Sequence, residues 1–203
     1  MPAALRLGFL ASHAGTSMRA IVAAGEAGRL DAEPVIVVSN NPDAAALDFA
    51  REHGVAAAHI SAKTAGSEAA ADRLIADALV AERADLVVLS GYLRMVGPLT
   101  LAAYRGRMLN VHPALLPKFG GKGMYGRFVH EAVLASGERE SGASVHLVDE
   151  EYDHGAVLAQ RAVPVLAGDT VESLGARVVA IEGALFIETL QAIAARGGVV
   201  KPG

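Results

Sequence analysis

Several stretches of this chain are apolar almost without a break, yet too short to be core helices. Leu5 to Ala11, Pro34 to Val38 and Asp85 to Ser90 each read as a strand covered on both faces. Helical stretches run from about Met18 to Leu30, from Asp43 to His53 with Gly54 ending it, and from Glu68 to Arg83 with charges on one side. Ala56 to Ile60 is the length of a further short strand. Strand and helix in alternation fold as a parallel sheet, doubly wound by right-handed crossovers.

After the strand at Arg107 to His112 the rhythm changes. Gly120 to Gly126 holds four glycines in seven residues, which predicts a loop. A helix follows from Arg127 to Ser136. Ala143 to Val148 and Ala156 to Val165 then read as an antiparallel pair around an acidic loop, Asp149 to Gly155, and a helix from about Thr170 to Arg196 closes the chain. The expected fold class is α/β, a doubly wound, mostly parallel sheet with an antiparallel C-terminal strand pair. No repeat, low-complexity tract or linker interrupts it, so residues 1–203 are expected to form one domain.

Composition narrows the function classes. Hydrophobic residues make up 52% of the chain, but no uninterrupted apolar stretch nears the roughly 20 residues of a membrane span. Met1 to Arg6 leads into a run too short for the core of a signal peptide. A cytoplasmic protein, monomeric or homodimeric, is expected. The absence of cysteine removes thiol nucleophiles, disulfides and thiolate metal sites. A formal net charge of −4, scattered basic residues and 4% aromatics offer no footprint for nucleic acid, so the expected ligands are small molecules.

The chemistry concentrates at Leu109-Asn110-Val111-His112-Pro113. Side chains alternate along a strand, so Asn110 and His112 leave on one face, and Pro113 ends regular pairing just beyond them. That puts an amide donor and an imidazole at a strand's carboxyl end, where open α/β sheets bind ligands. Such a pair can stabilise a developing oxyanion and carry a proton. Taken alone, the same residues also fit a turn asparagine and a structural histidine. A carboxylate beside His112 would favour the imidazolium, and Asp149, Glu150, Glu151 and Asp153 are all placed to supply it. Spacing does not choose among the four. His112, His146, Asp149, Asp153 and His154 also raise a metal reading, but no HExxH or comparable spacing is present, and no metal is expected. Gly15-Thr16-Ser17 lies between the first strand and helix, where backbone N–H groups suit a phosphate, although a hydroxyl-capped helix explains the same residues.

Ser12-His13-Ala14-Gly15-Thr16-Ser17, Val38 to Ala44, Leu89 to Met95, Leu109 to Pro117, Pro117 to Gly126 and Ser144 to Gly155 fall in one order along nearly the whole chain. In that order they closely resemble the folate-dependent formyltransferases. The resemblance implies a Rossmann-like fold and transfer of a formyl group from 10-formyltetrahydrofolate, as co-substrate and without metal, to the amine of glycinamide ribonucleotide. It implies Asn110, His112 and Asp153 as catalytic residues, with Tyr152-Asp153-His154-Gly155 selecting Asp153 among the acids. It gives Gly15, Thr16, Ser17 and Glu182 to the ribonucleotide, and Leu93, Arg94, Met95, Val96, Asn110, Asp149 and Asp153 to the folate. Lys118 and Lys122 would sit on a loop near the ribonucleotide.

There are departures. Thr16-Ser17 replaces a Ser-Asn pair common in relatives, and His154 stands where many have glycine. Glu68 falls where an arginine often meets the folate tail, leaving Lys63 and Arg73 as the nearby cations. The same constellation also occurs in hydrolases of the formyl donor, usually behind an N-terminal regulatory domain, and a non-catalytic folate- or nucleotide-binding protein would keep the fold.

Overall fold

The computed structural model describes residues 4–198 and 200. Its spine is one seven-stranded sheet in the order β3-β2-β1-β4-β5-β6-β7. The strands are β1 (Leu5–Ala11), β2 (Ala32–Ser39), β3 (Ala56–His59), β4 (Leu86–Leu89), β5 (Met108–His112), β6 (Glu140–Leu147) and β7 (Val157–Pro164). The first five are parallel, and β6 runs antiparallel to both of its neighbours. The doubly wound sheet and its antiparallel end agree with the sequence.

Period-two alternation sorts the strand residues into two cores. Leu5, Leu7, Phe9 and Ala11 of β1, with Leu86 and Val88 of β4, face helices α1 (Thr16–Glu26), α2 (Ala45–Glu52) and α7 (Val171–Ala195). Leu10, Val87 and Leu89 face the other way, towards α4 (Glu68–Ala81). Helix α6 (Arg127–Ser136) adds Val133 to the first core. Strand β2 starts two residues before the expected Pro34. Leu7 pairs with Pro34 and Gly8 with Ile36, so the register shifts beside the proline, which has no N–H to give the ladder.

Two helices are absent from the sequence reading. Helix α3 (Ala62–Ala65) is a single turn, and α5 (Pro98–Ala103) starts on Pro98 after Gly97, with the proline at its first position. The α5 N-terminus is capped from a distance. Asp72 of α4, 6% exposed, accepts the Leu99 and Thr100 backbone N–H groups at 2.8 and 3.0 Å and the Thr100 hydroxyl at 2.7 Å. A side chain at Gly97 would collide with that carboxylate, so the chain passes close because residue 97 has no Cβ. This junction anchors the segment from Tyr92 to Val96.

Glu172, Arg177, Glu182 and Glu188 interrupt helix α7, so it holds no unbroken apolar stretch, yet its average composition is that of a spanning helix. At 25 residues and a mean hydropathy of 1.6 it is long and apolar enough by composition. Leu174, Val178, Leu185, Phe186, Leu190 and Ile193 nevertheless bury into the sheet's first core, as a long amphipathic core helix would.

Candidate active site

The reversal of β6 places two histidines beside one asparagine. Asn110 pairs directly across the β5–β6 ladder with His146, and His112 pairs with Ser144. The Asn110 Nδ2 lies 3.2 Å from His146 Nε2. At the other side of that ring, Nδ1 is 2.8 Å from the Leu147 carbonyl oxygen, which can only accept. Nδ1 therefore carries the hydrogen, and Nε2 accepts from the amide. Burial lowers the His146 pKa from its ordinary value, against the opposing pull of the Leu147 carbonyl and Asp153, so the ring stays neutral near pH 7. One Asn110 amide hydrogen is thereby held by His146, and the other is free to meet a ligand. The sequence suggests at 146 either a packed histidine or one that supports a catalytic side chain; the structure makes it the second, the group that orients Asn110. His146→Phe should keep the fold and lower turnover about tenfold or more, since the amide loses its fixed direction. An unchanged kcat in steady-state assays would remove His146 from this role.

Asp153 reaches the cluster by a reversal. Strand β6 passes His112 at Ser144 and ends with Leu147 opposite Leu109, three residues beyond it, so the acidic loop must fold back along the sheet. Asp153 lies in the left-handed region with φ of 54°. Its Oδ2 is 3.3 Å from His112 Nδ1 and accepts the Gly121 N–H at 3.0 Å; its Oδ1 is 3.6 Å from His146 Nε2. Burial alone would raise the Asp153 carboxyl, but the hydrogen bond and charge of His112, with the Gly121 N–H, outweigh it and hold the group below the usual carboxylate range. His112 is 3% exposed, and its Nε2 is 2.7 Å from the Phe119 carbonyl. Both ring nitrogens thus face acceptors, and both contacts are satisfied together only by an imidazolium. The Nε2 hydrogen points at Phe119 rather than at open space.

A buried clamp that the sequence did not reveal fixes the chain after His112. The Ser144 hydroxyl donates to the Ala114 carbonyl at 2.6 Å and accepts from the Leu116 N–H at 3.0 Å, and Gln160 Nε2 donates to the Leu116 carbonyl at 2.9 Å. A similar clamp holds the next segment. The Ser12 hydroxyl donates to Asn40 Oδ1 at 2.6 Å and accepts the Leu93 N–H at 2.8 Å.

One set of grooves opens from the cluster, and a separate groove lies between helices. A small space of about 90 Å³ is lined by Asn110, His146, Asp149, Asp153, Val96 and Tyr152 among others. It shares Tyr92, Arg94, Met95, Val96 and Tyr152 with a longer groove of about 660 Å³ that runs past Asp72 to Glu68. Leu93 and Met95 are 58% and 57% exposed, so they are not the core residues that hydrophobicity alone suggests. Lys63 and Arg73 do not line this groove, and Glu68 does. The second groove, about 670 Å³, lies between α1 and α7 and is lined by Thr16, Ser17 and Glu182. Helix α1 begins after Gly15 with no side-chain cap and no acid in its first turn. Burial drives the Glu182 carboxyl up to about 7, against the pull of the His112 charge.

Other candidates fall elsewhere. Lys118 pairs with Glu138 at 2.7 Å, away from both grooves. His154 is exposed and bonds Asp149 at 2.9 Å, so it ties the acidic loop to itself rather than adding an imidazole to the cluster. Among the described residues, no group of three or more histidines and carboxylates is arranged to hold a metal ion.

Residues 5–190 match the family model described as formyl transferase. Among similar proteins, a chloroplastic phosphoribosylglycinamide formyltransferase of Vigna unguiculata is 38% identical over 93% of this chain and 60% of its own length. The phosphoribosylglycinamide formyltransferase of Escherichia coli K12 is 37% identical over 87% of this chain and 81% of its own. The chain spans less than two thirds of the length of such plant relatives. In three dimensions it is similar to glycinamide ribonucleotide transformylase 1 from Symbiobacterium toebii, with a TM-score of 0.89, 37% identity and coverage of 97% and 90% of the two chains. A formyltetrahydrofolate deformylase from Pseudomonas syringae shares the fold, at a TM-score of 0.84 and 22% identity over 95% of this chain and 62% of that one. On the sheet that carries Asn110 and His112, and on a match running through nearly its whole length, this chain belongs to the formyl transferase family.

Proposed function

We propose that this chain, acting as one domain over residues 1–203, transfers the formyl group of 10-formyltetrahydrofolate to the primary amine of glycinamide ribonucleotide. The products are N-formylglycinamide ribonucleotide and tetrahydrofolate, a step of purine biosynthesis. The observation that carries this reading is the Asn110–His146–Asp153–His112 cluster, which opens through a small space into a long groove. Relatives named for this activity support it. A cytoplasmic location goes with the reading, α7 being a core helix.

In this mechanism the amine attacks the formyl carbon and the carbonyl oxygen becomes negative. The free Asn110 N–H and the His112 imidazolium face that oxygen, the latter once its Nε2 hydrogen leaves the Phe119 carbonyl. Asp153, ionised before the attack, holds His112 charged and oriented. As the tetrahedral species forms and collapses, Asp153 takes up the proton that the attacking amine sheds and hands it on to the departing folate nitrogen, directly or through water, and so returns to its ionised form. The reduced pterin sits against Leu93, Met95 and Val96 under the Asp149–Asp153 loop, and Arg94 follows the donor outward. Gly15, Thr16 and Ser17 meet the phosphate with backbone N–H and hydroxyl groups at the positive end of α1. Glu182 accepts the ribose hydroxyls.

Mixing the protein with 10-formyltetrahydrofolate, and following deformylated folate by absorbance with and without glycinamide ribonucleotide, tests the proposal. Product should require the ribonucleotide. Equal formation without it would make the protein a hydrolase, and ligand binding without turnover would make it a binding protein.

Glu182 adds a pH prediction. A carboxyl whose folded pKa lies near 7, above the ordinary 4.5, contributes stability that is complete below about 4.5 and lost as pH rises through 7. Glu182→Gln should therefore leave stability unchanged at pH 4.5 and raise it by about 3 kcal/mol at pH 8. Denaturant melts at the two pH values read this directly, and equal shifts at both would contradict it.

A further inference from the structure

The carbonyl oxygens of the turn between β1 and α1 are all engaged. Asn41 Nδ2 donates to that of Ser12 at 3.3 Å, and the Ala46 N–H to that of His13 at 3.0 Å. Arg19 takes the next two, its Nε donating to the Ala14 oxygen at 2.9 Å and its backbone N–H to the Gly15 oxygen at 3.0 Å. The N–H groups of the same turn are in the opposite state. Met18 gives its hydrogen to Ser90 Oγ at 2.9 Å, but among the described residues no acceptor takes those of Gly15, Thr16 and Ser17. Occupied acceptors beside free donors make a concavity that presents only positive dipole ends.

The Arg19 side chain fixes the peptide on which this depends. A peptide is planar and trans, so holding the Ala14 oxygen on one side turns the Gly15 N–H to the other. The guanidinium is itself held at three points: by the Ala14 oxygen, by the Ala45 oxygen 3.0 Å from Nη2, and by the Phe49 ring, whose centroid lies 4.5 Å from Cζ. Among the described residues it pairs with no carboxylate, so its charge stands uncancelled beside the turn. We propose that Arg19 is a positioning residue that sets affinity for the acceptor's phosphate, acting through the Ala14–Gly15 peptide and through its positive field. This rests on the reading that puts the phosphate at Gly15, Thr16 and Ser17. It assigns part of the phosphate selectivity to a side chain outside that motif. A lysine at 19 would keep the charge, but without the planar fork it cannot bond both carbonyls while lying on the ring.

The test compares wild type, Arg19→Met and Arg19→Lys, with calorimetry to check that each folds. Arg19→Met should raise the KM for glycinamide ribonucleotide about tenfold and weaken competitive inhibition by inorganic phosphate by the same factor. Its kcat and its KM for the formyl donor should not change. Glycinamide ribonucleoside, which has no phosphate, should serve variant and wild type equally well. Arg19→Lys should recover part of the loss, and high salt should abolish that recovered part while the rest of the defect persists. An unchanged ribonucleotide KM in Arg19→Met, or an equal rise for ribonucleotide and ribonucleoside, would overturn the proposal and leave the formyl-transfer reading standing. If the methionine variant does not fold, the lysine variant carries the same comparison of acceptors with the same two overturning results. A wild type that uses the ribonucleoside as well as the ribonucleotide would instead remove the phosphate site, and this inference with it.

Discussion

Asp153→Asn should lower kcat by roughly 10²- to 10⁴-fold while changing the donor KM little. The asparagine is isosteric, and its amide oxygen can still accept the Gly121 N–H, so the loop should keep its place. What disappears is the charge 3.3 Å from His112 Nδ1 and the base that takes the amine's proton. Because the Asp153 carboxyl sits below the ordinary carboxylate range, the wild-type group is ionised throughout pH 5–8. The defect should accordingly be constant across that window, with no recovery at high pH. A kcat within threefold of wild type, on protein shown to be folded, would take Asp153 out of catalysis.

The second large effect comes from a residue with no side chain. Gly155 passes against the backbone of Leu147, where the acidic loop folds back beside the strand it has just left, and an added Cβ would run into the Leu147 carbonyl. That oxygen is backbone and cannot swing aside. Gly155→Ala should cost about 3 kcal/mol, equivalent to a fall in Tm of roughly 6–12 °C for a chain of this size. Turnover should drop more than tenfold even where the variant is fully folded, because the loop carrying Asp153 shifts away from His112. Calorimetry and a single-temperature assay separate the two effects. An alanine variant with wild-type Tm would show that the loop's return path is not as tight as described.

What was readable in the sequence followed from periodicity and local chemistry. The strands β1 and β4 announce themselves because a strand buried on both faces must be apolar at every position, and α6 begins and ends where its residues predict. Asn110 and His112 share a face by alternation alone. Partnerships across the chain were not readable. Asp72 looks like one more helix-surface acid until the α5 N-terminus, 28 residues later, is laid against it. His146 looks like a packed or supporting histidine until the β5–β6 register sets it opposite Asn110. Glu182 reads as a solvated helix glutamate, since nothing local tells of the burial that raises its pKa. Choosing Asp153 among four acids needed the resemblance, because the geometric reason for the choice is a loop reversal that spacing cannot express.

The pairing of Asn110 with His146 also limits how this chemistry could be moved. In a ladder of period two, a slip of one residue between β5 and β6 would bring Val145 or Leu147 opposite Asn110, turning the amide towards a hydrocarbon wall. An engineer transplanting the site onto another parallel sheet could not carry Asn110 and His112 as a single-strand cassette. The portable unit is the two-strand ribbon in its native alignment, together with the returning loop that brings Asp153 home.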